Sequence, residues 1–317
     1  MIVLLGGTGY VGQQFVAELN RRSYPFVAPS RAQVDYTRFD VLRRYLSKIG
    51  PDFVINAAGY TGKPNVDACE LHRADTLQGN TLFPTALAHA CESLDIPFGH
   101  VSSGCIFSGA KIFDGASDRV ETDLTAPALR ALMQKAPEQI RGFTEQDEPN
   151  FSFRRPPCSF YSGTKALAEE SIQELGRNYI WRLRIPFDHL DNPRNYLSKV
   201  QNYAKVYDNV NSLSHREDFV AACLDLWEKK APFGIYNVTN PGFVTTRHVI
   251  DLIIESLKPN RKFEFWADDD EFYRLAAKTP RSNCVLDVSK LLAAGISIRP
   301  VEEALRDSLR RWRSQTA

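Results

Sequence analysis

The chain has 317 residues, 43% of them hydrophobic, and a formal net charge of +1. This length can bury the core of one large α/β domain with a smaller lobe. The small net charge, with Lys and Arg spread along the chain, gives no indication of a nucleic-acid partner or an anionic membrane. No apolar run approaches the roughly 18 residues that span a bilayer.

The six cysteines, at positions 69, 91, 105, 158, 223 and 284, form no CxxC pair and no cluster with histidine at metal-ligand spacing. The apolar residues 1–5 are too few for a signal peptide. We therefore expect free thiols in a cytoplasmic protein, and no metal site.

The chain opens with a buried strand over residues 2–5, a glycine-rich turn and a helix over 13–22. Three glycines follow a GxxGxxG spacing, so backbone amides and the helix dipole meet at this turn and predict a dinucleotide pyrophosphate site. A glycine-rich turn without a ligand is the alternative, and a P-loop is excluded because no Gly-Lys-Ser/Thr follows. The residues of the turn are Gly6, Gly7, Thr8, Gly9, Tyr10, Val11 and Gly12.

The second strand, over 25–28, ends without the acidic residue that holds an unphosphorylated adenosine ribose. Ser30 and Arg31 follow instead, and a hydroxyl with a guanidinium suits the 2′-phosphate of NADP. Asp35 fits a contact on the adenine side. The segment favours NADP(H), with NAD(H) as the alternative.

The third strand, over 53–56, ends in small residues that let a flat cofactor pass close to the backbone: Ala57, Ala58 and Gly59. A polar loop, 60–67, follows at the carboxyl end of this parallel strand, where open α/β sheets bind their ligands. A helix over 76–94 then carries Asn80, which either satisfies backbone groups or shapes the site through a water.

The fourth strand, over 97–101, leads to Ser103 and Cys105. Tyr161 and Lys165 lie four residues apart, so on a helix they share one face and the ammonium favours the phenolate. With Ser103 they predict a hydrogen-bonding trio around one reacting carbonyl. Cys105 is either a buried apolar residue or a proton-transferring thiolate.

Residues 108–141 form an insertion with a helical stretch over 126–140, which we interpret as a flap or an oligomer contact. A strand over 179–185 follows the Tyr161 helix, a further helix opens at 214–219, and another strand covers 234–238. The chain is mostly helical from residue 245, and Arg281 is a candidate contact for a diphosphate.

These elements predict a Rossmann-type doubly wound parallel sheet with helices on both faces and a smaller C-terminal substrate lobe. We assign residues 1–184 to the dinucleotide-binding domain, with 212–238 returning to it. Residues 185–211 and 239–317 form the substrate-binding lobe, and we expect the substrate between the two.

With the glycine turn, Ser103, Tyr161 and Lys165, the chain resembles the extended short-chain dehydrogenase/reductases over nearly its whole length. It is similar to the dTDP-4-dehydrorhamnose reductases and looks most like the bifunctional nucleotide-rhamnose synthases, which are 3,5-epimerases and 4-reductases. The stretches that carry the resemblance are Asn56-Ala57-Ala58-Gly59, Thr61-Gly62-Lys63-Pro64-Asn65-Val66-Asp67, Gly104-Cys105-Ile106-Phe107, Phe160-Tyr161-Ser162-Gly163-Thr164-Lys165-Ala166, Asn192-Pro193-Arg194-Asn195, Thr239-Asn240-Pro241-Gly242 and Pro280-Arg281-Ser282-Asn283.

The resemblance implies that Tyr161 is the acid, and that Lys165 adjusts the pKa of Tyr161 and binds the cofactor ribose. Ser103 would occupy the position at which this family has Thr or Ser. It also implies that Cys105 and Lys199 are the epimerase pair. The substrate side then includes the residues Lys63, Asn65, Ser103, Asn192, Arg194, Asn195 and Arg281.

The resemblance further implies NADPH-dependent reduction of carbon 4 in a nucleotide-linked 4-keto-6-deoxyhexose, with 3,5-epimerisation in the same cleft. A separate 4,6-dehydratase would supply that substrate, and homodimers would form through the helices that flank Tyr161. Two alternatives stay open: a reductase only, in which Cys105 takes no part, or a non-catalytic nucleotide-binding regulatory subunit.

Overall fold

The computed structural model describes residues 1–63 and 65–314. The strands, in chain order, are β1 (Ile2–Leu5), β2 (Phe26–Val27), β3 (Phe53–Asn56), β4 (Phe98–Ser103), β5 (Ala110–Phe113), β6 (Asp118–Glu121), β7 (Ile140–Arg141), β8 (Asn178–Leu183), β9 (Pro186–Phe187), β10 (Lys205–Val206), β11 (Val210–Asn211), β12 (Ser214–His215), β13 (Gly234–Asn237), β14 (Val244–Thr245) and β15 (Glu264–Phe265).

The helices, in chain order, are α1 (Tyr10–Arg21), α2 (Phe39–Ile49), α3 (Ala68–Leu71), α4 (Arg73–Leu77), α5 (Phe83–Ser93), α6 (Pro127–Lys135), α7 (Phe160–Ile172), α8 (Tyr196–Asn202), α9 (Arg216–Glu228), α10 (Thr246–Leu257), α11 (Asp269–Leu275), α12 (Ser289–Ala293) and α13 (Val301–Arg310).

The main sheet has six strands in the order β2-β1-β3-β4-β8-β13, and every neighbouring pair is parallel. The chain leaves β1 toward β2 on one side and returns to β3 on the other. Between β1 and β3 lies the switch point at which such sheets bind ligands. The doubly wound parallel sheet predicted from the sequence is confirmed.

Helices cover both faces of this sheet. One core contains residues of α1 and α9, such as Phe15 and Phe219, and the other contains residues of α2 and α5, such as Leu46 and Leu87. β1 and β3 are buried at every position, because a parallel strand covered on both faces has no solvent side. The edge of the sheet at which these strands end therefore stays open for a site.

The helix predicted over 76–94 is divided into α4, a π-helical segment at Gln78–Leu82 and α5. Pro84 lies at the start of α5. Since proline has no N–H to donate to the carbonyl four residues earlier, it disfavours a regular α-helical turn at this point. The wide turn contains Asn80.

The C-terminal part has its own core, formed by residues of α8, α10 and α13 such as Leu197, Val249 and Leu305. Three two-stranded pairs link its segments: β9 with β12, β10 with β15, and β11 with β14. Because β12 leads into α9, and β13 joins the main sheet, the chain crosses back between the two parts. The domain division given above stays a prediction.

The insertion over 108–141 is a small folded unit. β5 lies between β6 and β7 in an antiparallel sheet, and α6 packs on it. The helix predicted over 126–140 is shorter, ending at Lys135, and a 3₁₀ turn and β7 follow. Val210 and Val285 complete its core, so the unit is attached to the C-terminal part.

No helix in the described ranges is long and apolar enough to cross a membrane.

Candidate active site

The glycine turn is shaped by close backbone approaches. Gly6 has a φ of +84°, and Gly9 donates its N–H to the Gly6 carbonyl at 3.0 Å. A Cβ built on Gly12 would overlap that same carbonyl. α1 begins at Tyr10 rather than at residue 13, with Gly9 as an N-cap that has no side chain to occupy the free amides. These amides fit a pyrophosphate.

The turn meets the end of β3 at the switch point. A Cβ built on Gly6 would overlap the backbone of Ala57 and Ala58. Ala57 donates its N–H to the Leu5 carbonyl at 2.9 Å, and the N–H of Ala58 is held by Asn56. The predicted small residues therefore bring two strand ends together beside the turn.

The residues predicted to hold an adenosine phosphate lie beyond β2. The Ser30 hydroxyl donates to Gln33 at 3.0 Å, and Asp35 accepts from Thr37. Arg31 is exposed and forms no hydrogen bond or ion pair with the described residues. Its guanidinium is consequently available to a phosphate.

Asn80 is fully buried, and both polar atoms of its side-chain amide are hydrogen-bonded to the backbone of Tyr60. Its Oδ1 accepts from Tyr60 N and its Nδ2 donates to Tyr60 O, both at 2.8 Å. The structure favours the interpretation in which Asn80 satisfies backbone groups. In doing so it positions Gly59, where a Cβ would lie 3.6 Å from Lys165 Nζ.

Ser103 and Tyr161 come together from β4 and α7. Ser103 is the last residue of β4, and its Oγ accepts from the N–H of Cys105 at 3.2 Å. α7 begins after Ser159, whose hydroxyl caps Ser162 N, so Tyr161 lies in the first turn. Burial raises the pKa of Tyr161, while the neighbouring Ser103 hydroxyl opposes that rise.

Lys165 lies one turn further along α7 and is only 4% exposed. Its Nζ donates to the carbonyl of Val101 at 3.2 Å. Burial lowers the pKa of Lys165 to about 8, and the carboxylate of Glu169 opposes this. The structure thus brings Ser103, Tyr161 and Lys165 to one end of β4, as predicted from their spacing.

A buried ion pair behind Lys165 was missed by the sequence analysis. Glu169 accepts from Arg182 at 2.7 Å, and both side chains are nearly inaccessible. The Ser102 hydroxyl also donates to Glu169. The available signal was the acidic residue four positions after Lys165, which continues the same face of the helix.

Cys105 is 7% exposed and packs beside Tyr161. Burial raises the pKa of its thiol, and the hydrogen bond with Ser103 and the charge of Arg184 lower it. The thiol is therefore the favoured form, and Cys105 carries a proton beside the trio. The cysteines of the described ranges are all free.

The loop after β3, which carries the candidate substrate residues Lys63 and Asn65, contacts the C-terminal part through Asp67. Lys63 and Asn65 are exposed, and Asn65 Oδ1 accepts from Asp67 N. Arg281 forms a two-pronged ion pair with Asp67, at 2.6 and 2.7 Å. The predicted diphosphate contact therefore has a carboxylate partner in this structure.

Three further candidates lie around the start of α8. Arg194 donates to the Thr61 hydroxyl at 2.7 Å, and Asn192 Oδ1 accepts from Arg194 N. Asn195 is fully buried: its Oδ1 caps α8, and its Nδ2 donates to Asp188 and Leu190. The whole amide is thus used inside the protein, where Asn195 caps α8, and its role as a substrate contact stays a prediction.

Lys199 is half-buried on α8. Burial lowers its pKa, followed by the charge of Arg194. Among the described residues its Nζ has no hydrogen bond or ion pair, and nothing joins it directly to Cys105. The structure gathers Ser103, Cys105, Tyr161 and Lys165, while Lys199 belongs to the neighbourhood of Arg194.

A model of the RmlD substrate binding domain matches residues 1–314. The chain belongs to this family. This confirms the resemblance to the extended short-chain dehydrogenase/reductases, and family membership makes the chain an NAD(P)-dependent oxidoreductase of that type.

Two plant proteins from Arabidopsis thaliana are similar to this RmlD-family chain. One is a trifunctional UDP-glucose 4,6-dehydratase/UDP-4-keto-6-deoxy-D-glucose 3,5-epimerase/UDP-4-keto-L-rhamnose-reductase, 32% identical over 82% of this chain and 35% of its own length. The other is a bifunctional dTDP-4-dehydrorhamnose 3,5-epimerase/dTDP-4-dehydrorhamnose reductase, 31% identical over 82% of this chain and 77% of its own. The chain thus spans about a third of the trifunctional relative.

Crystal structures share the fold. The L780 UDP-rhamnose synthase of Acanthamoeba polyphaga mimivirus has a TM-score of 0.80 and 24% identity, with 98% of each chain covered. A dTDP-4-dehydrorhamnose reductase of Bacillus anthracis in complex with NADP has a TM-score of 0.75 and 18% identity, covering 98% of this chain and 97% of that one. At these identities the likeness supports the Rossmann-type architecture of the RmlD-family chain and no finer statement.

Proposed function

We propose that this RmlD-family chain catalyses the NADPH-dependent reduction of carbon 4 in a nucleotide-linked 4-keto-6-deoxyhexose, as a step in making a rhamnose-type sugar. The observation that carries the proposal is the meeting of Ser103, Tyr161 and Lys165 at the end of β4, beside the switch point of the sheet. The two plant relatives, each named for a reductase of such sugars, support the substrate class.

The residues at the switch point fit a dinucleotide. In the turn from Gly6 to Gly12, the backbone amides at the start of α1 have no side-chain cap and can bind a pyrophosphate. Gly59 has no side chain, which leaves room for the cofactor beside Lys165. Arg31, which has no partner among the described residues, favours the 2′-phosphate of NADP(H) over the plain ribose of NAD(H). The bound nicotinamide would supply the hydride.

The protein's own part of the reduction is proton delivery and positioning. Tyr161 holds a proton, because its burial disfavours the phenolate. Ser103, whose hydroxyl neighbours the phenol, shares the ketone oxygen and fixes where that oxygen lies. Lys165, with a pKa of about 8, is largely an ammonium at neutral pH and favours the phenolate left when Tyr161 has given up its proton.

A second activity, 3,5-epimerisation in the same cleft, is favoured by one observation. Cys105 carries a protonated thiol next to Tyr161, and Lys199 is a half-buried amine whose pKa is lowered by burial. A 4-keto group acidifies the protons on carbons 3 and 5, so an acid and a base on opposite faces of the sugar can invert those centres. The bifunctional plant relative supports this pair.

The diphosphate of the substrate would lie against the cationic residues of the loop after β3 and of the C-terminal part: Lys63, Arg194 and Arg281. We propose that it replaces Asp67 as the partner of Arg281, with Asn65 and Asn192 at its edge. A separate 4,6-dehydratase would make the ketone, and the chain would pair with a second copy through helices flanking Tyr161. The alternatives, a reductase only or a regulatory subunit, make different predictions below.

The test is incubation of the purified chain with UDP- or dTDP-4-keto-6-deoxyglucose in deuterated water, with and without NADPH, followed by NMR and mass spectrometry of the sugar. We expect deuterium at carbons 3 and 5 without NADPH, and a 6-deoxy-L-hexose when NADPH is added. Oxidation of NADPH only after a separate epimerase is supplied would leave a reductase alone. If neither exchange nor oxidation occurs, the proposed activity is refuted and the regulatory alternative is favoured.

Two variants separate the proposed roles. Tyr161→Phe keeps the ring and its packing but removes the transferable proton, so reduction should fall at least about 100-fold while NADPH still binds. Cys105→Ser should lose exchange at carbons 3 and 5 yet still reduce an already epimerised ketone. Equal loss of both steps in Cys105→Ser would indicate damage to the pocket and remove Cys105 from the epimerase role.

A further inference from the structure

β8 ends beside the trio and is followed by a buried arginine. Leu183, its last residue, pairs with Ser103 in the register of the sheet. Arg184 comes next, at the same edge of the sheet, and is 5% exposed. Its backbone N–H is held by Ser214 Oγ at 3.0 Å. The sequence analysis did not single it out.

The Arg184 guanidinium has only neutral partners. Nη2 donates to Asn211 Oδ1 and to the carbonyl of Ser282, while Nε is buried with no partner. No carboxylate of the described residues lies within ion-pair distance of it. Asn211 Oδ1 is itself fixed by the N–H of Cys284, so the group is held rigidly.

The other deeply buried arginines, Arg182 within β8 and Arg216 at the start of α9, are neutralised. Arg182 is paired with Glu169, and Arg216 with Asp188. Burying a guanidinium without a counter-ion is costly, because water that solvated the charge is lost and nothing replaces it. An unneutralised cation at this place therefore points to an anion that arrives with the ligand.

The charge of Arg184 acts on the groups at the reacting centre. It lowers the pKa of the Cys105 thiol and of the Tyr161 phenol, in each case against the larger effect of burial. The partners of Arg184 are hydrogen-bonded to the segment that carries Cys105: the Ser282 hydroxyl donates to the Phe107 carbonyl at 2.6 Å, and the Cys284 thiol to the Gly104 carbonyl at 3.3 Å. Arg184 therefore lies beside the segment 104–107, at the end of β4.

We propose that Arg184 is the cation that stabilises the negative charge formed on the substrate oxygen in the pocket between Cys105 and Tyr161. This rests on the proposed function. When a base removes the proton on carbon 3 or 5, the C–H electron pair forms a carbon–carbon double bond and the carbonyl pair moves to the oxygen at carbon 4. When hydride adds to carbon 4, the carbonyl pair again moves to that oxygen, which takes the Tyr161 proton.

Both steps pass through an oxyanion at one place, so one fixed guanidinium serves both. Arg184→Gln should lower kcat for deuterium exchange and for reduction by about 100-fold or more, since loss of one oxyanion donor costs this much in other enzymes. NADPH affinity should not change. Arg177→Gln, an exposed arginine just before the same strand, is the matched control and should retain both activities.

Asn211→Asp tests the charge without removing the guanidinium. The new carboxylate stands where the amide oxygen already accepts from Arg184, and it neutralises the cation in place. We expect kcat to fall about tenfold or more, with no change in NADPH affinity. If Arg184→Gln does not fold, Asn211→Asp and Arg184→Lys provide the test. Arg184→Lys keeps a cation and should retain part of the wild-type kcat, whereas Asn211→Asp should lose it. Full activity in Asn211→Asp would overturn the proposal.

A measurement without substrate separates this proposal from the proposed function. The rate of alkylation of Cys105 by iodoacetamide at pH 8.5, followed per cysteine by mass spectrometry, reports how well the pocket stabilises an anion. The titratable and charged groups facing Cys105 are Arg184, Lys165, Tyr161, Cys69, Cys158 and Cys284.

We expect the Cys105 rate to fall at least threefold in Arg184→Gln and in Asn211→Asp, and not in Arg177→Gln. An unchanged rate in both pocket variants would overturn the proposal, whatever the substrate is. A reduced rate in a chain that neither exchanges nor reduces any 4-keto sugar would refute the proposed function and keep the oxyanion site.

Discussion

Replacing Lys165 with Met should stabilise the folded chain at neutral pH. Lys165 is 4% exposed, and burial lowers its pKa to about 8 from an ordinary value of 10.5. The unfolded chain therefore binds a proton at this side chain more tightly than the folded chain does. Met has a similar length, carries no charge and pays no such penalty on burial.

The size of the effect follows from the pKa difference. A difference of about 2.5 units at roughly 1.4 kcal/mol each makes the buried ammonium cost about 3 kcal/mol below pH 8. Lys165→Met also leaves the Val101 carbonyl without its donor, a loss of about 1 kcal/mol. The net gain in the free energy of unfolding near pH 7 is then about 2 kcal/mol.

The sign of the pH dependence is fixed by the same linkage. Between about pH 8 and 10.5 the unfolded state binds more protons at Lys165 than the folded state, so the stability of the wild-type chain rises with pH in that window. The penalty that Lys165→Met removes shrinks accordingly. The advantage of the variant should be close to zero near pH 10.

Urea unfolding of both chains without cofactor, at pH 7 and at pH 10, measures the difference. Lys48→Met, at an exposed position of α2, is the matched control and should show no pH-dependent change. The reasoning is refuted if Lys165→Met is less stable than the wild type at pH 7, or if its advantage is the same at both pH values.

Three further outcomes follow from the site. Gly12→Ala should abolish NADPH binding by calorimetry, because its Cβ would overlap the Gly6 carbonyl; unchanged affinity would contradict the turn geometry. Arg31→Gln should weaken NADPH binding by roughly tenfold or more and leave NADH binding unchanged, since an exposed guanidinium–phosphate pair is worth about 1–2 kcal/mol. Steady-state reduction should fall as pH rises through about 8, where Lys165 loses its charge, whereas a flat profile to pH 10 would exclude this role.

The strands of the main sheet could be predicted because they are short and each contains an apolar run. β1 and β3 have the predicted bounds, since a strand buried on both faces is a continuous apolar run between turn residues. The insertion could not be predicted in the same way. Its sheet is completed by bridges from Gly109 to Cys284 and from Phe143 to Leu286, residues far away in the sequence.

In the candidate site too, local sequence predicts some features, whereas others depend on contacts that it does not show. Tyr161 and Lys165 share a helix face at a fixed spacing, so their proximity follows from local geometry alone. The saturated amide of Asn195 depends on Asp188 and Leu190, and nothing in the local sequence shows that those groups occupy it. A motif in the local sequence therefore indicates a candidate loop but cannot show which of its amides the fold already uses.

The face of α7 that carries Tyr161 and Lys165 continues to Glu169, which forms the buried ion pair with Arg182. Tyr161, Lys165 and Glu169 follow one another at intervals of four, and the carboxylate raises the pKa of a lysine that burial lowers. A lone carboxylate there would itself be costly to bury, and Arg182 on β8 offsets that cost with a direct ion pair. Glu169 is thus held by Arg182, and its charge in turn acts on the protonation of Lys165.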